Sequence, residues 1–347
     1  MILHVCQLEK FIPAYVEFVN KEFDSTEHFF LGFGEIQSFP VNACNFKYIP
    51  KSFLGLFVLL VYMLRAKKIV LHGLFNNNLS LVLSAFSWLP RKSIWFIWGG
   101  DLYDYLKPRT SLRSKVNEYL RGRVVASLGG VATYLQGDYD RAVEWYGAKG
   151  IWLKCNGYLS NVYHGGHKIN MGSGAVLVGN SADPSNCHGE IFLKLENLVK
   201  ADQKIICPLS YGDMDYADRI EAMGKQKFGE RFIALRNFMA LDEYNKLMED
   251  VSVVIFAHKR QQAMGNTINL IGAGKKVIVR GGTAQSDLLQ SLGIHFDSFE
   301  NFNLIPLDFS NACSNQKIIS SIFSRDQLIM QWRAIFLGEK VCPQVNN

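Results

Sequence analysis

Apolar residues along this chain fall into two patterns, short continuous runs and longer stretches at helical spacing, and the two alternate almost from end to end. The runs predict strands at Ile2–Val5, Phe29–Phe33, Ile69–His72, Ser93–Trp98, Gly130–Tyr134 and Gly150–Lys154. In the second half they predict Ala175–Val178, Lys204–Pro208, Phe232–Leu235, Val253–Ala257 and Lys276–Val279. Helical spacing predicts helices near Ala14–Glu22, Phe53–Leu64, Leu79–Phe86, Leu112–Leu120 and Asp140–Trp145. It does so again near Glu190–Val199, Tyr216–Lys227, Leu241–Glu249, Asn266–Ala273, Ser286–Leu292 and Arg325–Leu337. Strands alternating with helices of this length imply parallel sheets with right-handed crossovers, an α/β fold. A glycine-rich stretch from Tyr163 to Gly174 interrupts the pattern and reads as a linker.

The expected organisation is therefore two Rossmann-like domains, at 1–165 and 175–324, joined by a linker at 166–174. A C-terminal helix and tail, 325–347, packs back toward the junction. Two such domains facing a central cleft place their strand ends on it, where ligands of open α/β sheets bind. The length of 347 residues suits two cores, and 48% hydrophobic with 20% charged residues is a globular balance.

The seven cysteines form no C-x-x-C pair, so neither a disulfide framework nor a zinc site is suggested and a reducing cytoplasm is expected. The chain opens directly as a strand, with no basic leader before it. Neither half carries a G-x-G-x-x-G turn after its first strand, and a P-loop and a serine elbow are also missing from the sequence. The net charge of +6 is concentrated around Lys51–Lys68 and Lys107–Arg123. Stacking aromatics are not interleaved there in a nucleic-acid-binding pattern, so no nucleic-acid partner is expected. The run Phe53–Leu64 is too short to span a bilayer. It reads as a buried helix, or alternatively as a face touching a membrane surface.

Four loops at predicted strand ends concentrate polar chemistry. The first, Gly179–Asn186, runs from a strand into a helix, where backbone N–H groups and the helix dipole favour an anion such as phosphate. The second, His258–Thr267, sets Lys259, Arg260, Gln261 and Gln262 before another helix start, an arrangement suited to a diphosphate. In the third, Trp98–Tyr103, two glycines beside Asp101 make that carboxylate the candidate general base. The fourth, His72–Asn78, offers His72 for the same task. Asp138-Tyr139-Asp140 and Asp213-Met214-Asp215 resemble a divalent-ion pattern but fall at helix starts, and caps are the simpler reading. No metal and no cofactor is expected.

These loops, taken together, resemble glycosyltransferase family 56. The resemblance rests on His72-Gly73 with Phe75-Asn76 and on Trp95 to Tyr103. It extends to Val178 to Ser181 with Asp183, Ser185 and Asn186, and to Phe256-Ala257 with Gln261-Gln262, Gly265 and Gly272-Ala273-Gly274. Gly100 stands where the family has alanine, and Lys259-Arg260 precede the paired glutamines with an apparent insertion. The resemblance implies a GT-B fold, with an acceptor-binding first domain and a nucleotide-sugar-binding second domain. The implied reaction moves 4-acetamido-4,6-dideoxygalactose from a dTDP-sugar donor to an undecaprenyl-diphosphate-linked glycan, in enterobacterial common antigen or O-antigen synthesis. The implied place is the cytoplasmic face of the bacterial inner membrane, as a peripheral protein.

On this reading Asp101 and His72 are catalytic. Gly179, Asn180, Ser181, Ser185, Asn186, Arg260, Gln261, Gln262, Gly265, Asn266 and Thr267 bind the donor. Asn76, Trp98, Gly99 and Tyr103 meet the acceptor. Alternatives are an O-antigen enzyme using another dTDP-amino sugar such as N-acetylviosamine, an epimerase on the same donors, and a non-catalytic two-lobed sugar-binding protein.

Overall fold

The computed structural model describes every residue except 35, 51, 166–168, 171–173, 238, 240 and 339–347, and the backbone alone at 241, 242 and 245. Much of the expected linker at 166–174 thus lies outside the described residues. The chain divides into two compact units, residues 1–160 with 325–347, and residues 161–324.

The first unit runs β1 (Ile2–Gln7), α1 (Ile12–Glu22), β2 (His28–Phe33), β3 (Phe46–Tyr48), α2 (Phe53–Arg65), β4 (Lys68–His72) and α3 (Asn77–Ala85). It continues through β5 (Ser93–Phe96), α4 (Gly100–Tyr103), α5 (Leu112–Ala126), β6 (Gly130–Ala132), α6 (Gln136–Tyr146) and β7 (Ile151–Leu153). All neighbouring strands are parallel, in the order β3-β2-β1-β4-β5-β6-β7. The second unit runs β8 (Ala175–Val178), α7 (His188–Leu195), β9 (Ile205–Pro208), α8 (Met214–Phe228), β10 (Phe232–Leu235) and α9 (Leu241–Asp250). It continues through β11 (Val251–Phe256), α10 (Met264–Gly272), β12 (Lys276–Val279), α11 (Ala284–Ser291), β13 (Asp297–Ser298) and α12 (Phe309–Ile322). Its sheet is also parallel, in the order β10-β9-β8-β11-β12-β13.

The last helix, α13 (Arg325–Leu337), belongs to the first unit. Trp332 Nε1 donates to the Gly157 carbonyl at 2.7 Å, and Lys68 Nζ reaches the carbonyls of Ile335 and Phe336 at the helix end. A cation on those last carbonyls is favoured by the helix dipole. Period-two alternation sorts the strand residues of this unit between two faces. Leu3, Leu71 and Trp95 join Leu59 of α2, Leu83 of α3 and Val125 of α5 in one core. His4 and His72 point the other way, toward Tyr15 of α1 and Trp332 of α13.

Four elements were invisible in the pattern, among them β13, two residues long and half-buried. β3 is three residues long and half-exposed, so it carries little apolar signal. α12 buries only Ala312, Asn315 and Ile319 among polar neighbours. α4 is a single turn following Gly99. α5 also outruns its expected end at Leu120, because Arg121 goes inside the protein with partners of its own.

The expectation of a buried helix over Phe53–Leu64 needs correction. α2 buries Gly55, Leu59 and Met63, but leaves Phe53, Leu54, Phe57 and Leu64 exposed.

Candidate active site

In the second unit the loops after β8, β9 and β11 meet at one end of the sheet. Asn186 is the hub of the first loop and is fully buried. Its Oδ1 accepts from the Asn180 N–H and from His258 Nε2, both at 2.9 Å. Its Nδ2 donates to Ser181 Oγ and to the Asp183 carbonyl. An amide with all of these bonds made is a brace for the loop.

His258 is likewise buried, and loss of hydration holds its imidazole neutral, pushed down to about 3. His258 donates to the Asn186 oxygen through Nε2–H, so its Nδ1 carries the lone pair. Gly179 turns the chain at φ 68°, and a Cβ there would lie 2.6 Å from His188 Nε2 and 2.9 Å from Asn186 Oδ1. We therefore expect Gly179→Ala to cost about 2 kcal/mol from left-handed strain plus overlap. Calorimetric melting of the variant tests this, and an unchanged melting curve would contradict the packing described.

Asn180 is half-exposed and bridges two loops. Its Nδ2 donates to Tyr211 Oη at 3.2 Å, and its Oδ1 faces Gln262 Nε2 at 3.5 Å. Ser185 Oγ donates to Gln262 Oε1 at 2.7 Å, tying the β8 loop to the β11 loop. Ala263 then enters the left-handed region at φ 56° and starts α10. Cys187, at φ 57°, starts α7 in the same way. Among the described residues these two are the non-glycine residues with positive φ. Backbone strain of this kind gathers at functional sites.

The first-turn N–H groups of Met264, Gly265 and Asn266 have no carbonyl within their helix to bond. Arg260 lies half-exposed just before them. Arg280, directly after β12, pairs with Glu190 at 2.6 Å, and Lys259 reaches the same carboxylate at 3.4 Å. Helix N–H donors and cations together make an anion-binding surface.

The structure thus brings the eleven residues expected at the donor together but divides their tasks. Asn180, Ser185, Arg260, Gln261, Gln262, Gly265 and Asn266 retain exposed surface. Gly179, Ser181, Asn186 and Thr267 are buried. Thr267 Oγ1 is spent on the Ala263 carbonyl and on Gln285 Nε2. The expectation that these four touch a ligand is corrected: they are buried and shape the loops that carry the seven with exposed surface. Arg280 and Tyr211 were not singled out from sequence. A lone arginine after a strand, followed by Gly281-Gly282-Thr283, was the available signal for the first of them.

In the first unit Asp101 is wholly buried. Its Oδ2 accepts from Leu74 N at 2.9 Å and Trp95 Nε1 at 2.7 Å, and its Oδ1 from Trp98 N at 2.9 Å and Leu102 N at 3.0 Å. Burial raises its carboxyl above the usual range, against the pull of these donors and Arg121. A general base needs a lone pair within reach of a substrate proton, and this carboxylate has none to offer. The general-base expectation is corrected accordingly: Asp101 pins the loops after β4 and β5 to each other.

His72 is corrected for the same reason. It is fully buried, and desolvation pushes it down to about 3. Its Nδ1 lies 2.8 Å from Tyr158 Oη, which also receives Trp98 Nε1–H at 2.7 Å. Indole nitrogen only donates, so the Tyr158 hydroxyl proton is directed to His72 Nδ1. His72 Nε2–H then faces His4 Nδ1 at 3.1 Å, and His4 Nε2 faces His28 Nδ1 at 3.0 Å. This polarised row braces Trp98 from beneath.

Trp98 is half-buried, with its ring against Phe75 and Phe11. Phe75 is 45% exposed and shares this surface, though only its motif was noticed in the sequence. Asn76 caps α3 by accepting from Asn78 N, and Gly99 caps α4 at φ 83°. Tyr103 Oη donates to Asp138 Oδ1 at 3.2 Å. Asp213 caps α8, while Asp138 lies inside the first turn of α6, so only one of the two acidic pairs starts with a cap.

Solved structures share the architecture. Anabaena HepE in complex with UDP and glucose aligns with a TM-score of 0.66 at 14% identity, over 97% of this chain and 99% of that one. Sucrose-phosphate synthase from Thermosynechococcus elongatus gives 0.63 at 10% identity, over 98% and 100%. A glycosyltransferase from Rickettsia africae gives 0.66 at 12%, over 97% of both. At these identities the likeness concerns fold, and that fold is GT-B, with two Rossmann-like domains. A family model described as 4-alpha-L-fucosyltransferase, glycosyl transferase group 56, matches residues 51–303 and so takes in parts of both units. The chain therefore belongs to the glycosyl transferase group 56 family and is a glycosyltransferase.

Proposed function

We propose that this protein transfers a 4-acetamido-4,6-dideoxyhexose of the N-acetylfucosamine type from a dTDP-sugar to an undecaprenyl-diphosphate-linked glycan at the inner membrane surface. The observation that carries the reading is the family match across both units, with an anion-binding surface at the strand ends of the second. Transfer breaks the bond between the sugar's anomeric carbon and the diphosphate oxygen, and negative charge grows on the departing dTDP. The α10 N-terminus, Arg260 and Arg280 supply preorganised positive potential for that charge. Asn180, Ser185 and Gln262 form an interlocked polar rim beside it. Phe75 and Trp98 in the first unit offer an aromatic face suited to an acceptor sugar.

The test is incubation with a panel of dTDP- and UDP-linked sugars and undecaprenyl-diphosphate glycans, with mass spectrometry of the lipid product. Transfer from the dTDP-acetamido sugar supports the reading, and transfer only from UDP-sugars or only to water-soluble acceptors overturns it. Arg260→Ala should weaken dTDP binding by about 10- to 100-fold, the worth of one charge-assisted contact. Titration calorimetry with dTDP reads this directly, and unchanged affinity would remove Arg260 from the site.

A further inference from the structure

We propose that the outer face of the α2–α3–α5 layer in the first unit docks on an anionic lipid bilayer, with the starts of α2 and α5 entering deepest. This rests on the lipid-linked acceptor proposed above and deepens it by naming the surface that would reach the lipid.

The three helices are neighbours, α2 against α3 and α3 against α5, on one side of the sheet. Each leaves apolar residues outside. Phe53 is 88% exposed, Leu54 66% and Phe57 59%, all in the first turns of α2. Leu112 is 79% exposed at the start of α5, Val116 follows one turn later, and Leu81 is exposed on α3 between them. With helix axes roughly 8–10 Å apart, these side chains form one patch and not isolated exposures. In α/β units the helices start where the strands end, so Phe53 and Leu112 lie at the end that carries the His72–Asn78 and Trp98–Tyr103 loops.

Charge decides the occupant. The chain has 31 Asp and Glu residues, yet none occurs from Ile36 to Gly100, a stretch of 65 residues that includes α2 and α3 and holds seven Lys and Arg. α5 contributes one acid, Glu118, which is already paired with Arg109 at 2.6 Å. Arg65, Arg113, Lys115 and Arg123 are exposed on the same layer. A second copy of this chain would bring an equally basic face against it, so self-association is opposed by its own charge. An anionic bilayer meets both features, taking the apolar side chains into its boundary and the cations at its head groups. Among the described residues no helix is long and apolar enough to cross a membrane, so the contact is with the surface.

The full-length protein is tested by flotation with vesicles of phosphatidylglycerol and phosphatidylethanolamine, and with vesicles of phosphatidylcholine alone. The expected result is salt-sensitive binding to the anionic vesicles only. Phe53→Ser/Leu54→Ser/Phe57→Ser and, separately, Arg113→Glu/Lys115→Glu should each lower the partition coefficient by about tenfold or more. These side chains are exposed, so both variants should keep the wild-type melting curve, and dTDP affinity measured alongside reports on the transferase reading independently. Failure of the wild type to bind anionic vesicles overturns the docking surface, as does unchanged partition of both variants. A wild-type dimer in sedimentation that the serine variant turns into a monomer also overturns it, by assigning the face to a second copy. Loss of dTDP binding in the wild type would instead count against the proposed reaction.

Discussion

Asp101→Ala is expected to destabilise the first unit by about 4 kcal/mol, a large part of the 5–15 kcal/mol that holds a typical domain together. The variant leaves the donors Leu74 N, Trp95 Nε1, Trp98 N and Leu102 N buried without an acceptor. Asp101→Asn should be nearly as harmful. Each carboxylate oxygen receives two N–H groups, so whichever oxygen becomes an amide nitrogen points its own hydrogens at two donors. The predicted signature is a lowered melting transition for both variants, with dTDP affinity of the remaining folded protein intact. If Asp101→Asn melted like the wild type while losing transfer, the carboxylate would be the base after all and its positioning role would be wrong.

Acidification should unfold the protein well before its carboxylates are protonated. Burial lowers His28 and His188 to about 4, His72 and His258 to about 3, and His4 below its ordinary value as well. Desolvation is the leading cause in each case. These side chains stay neutral in the native protein but take up protons in the unfolded chain below about pH 6.5. Each therefore contributes no instability at neutral pH and removes about 1.4 kcal/mol per pH unit as the pH falls from about 6.5 toward its lowered native value.

The row His28–His4–His72 places three such groups in the first unit, which should lose about 4 kcal/mol per pH unit. Urea melts at pH 7, 6 and 5 would read this slope before most carboxylates titrate. His28→Gln, at the end of the row, should flatten it by about one proton. A stability that stays level from pH 7 to pH 5 would show that the histidines are not held neutral.

Parts of the site were legible because they are local. The β8 loop, the α10 entrance and the Trp98–Tyr103 turn each announce themselves as small or polar residues directly after an apolar run. Arg280 and Tyr211 were missed because their relevance comes from neighbours distant in the chain, Glu190 and Asn180. Asp101 and His72 were misread for a related reason. A polar residue at a strand end looks the same in sequence whether its lone pairs face a ligand or the interior.

Hydrophobic periodicity and chain length by themselves determined the two parallel α/β units, nearly all of their strands and helices, and the strand ends where polar chemistry collects. Period and element length are properties of contiguous residues, so no tertiary information was needed. Tertiary structure alone decided which polar residues are spent: Asn186, Thr267, Asp101 and His72 on internal hydrogen bonds, Asn180, Arg260 and Gln262 at the surface. It also decided that α2 shows much of its apolar side to the outside. Both are matters of burial, which depends on what packs against a residue from elsewhere in the chain.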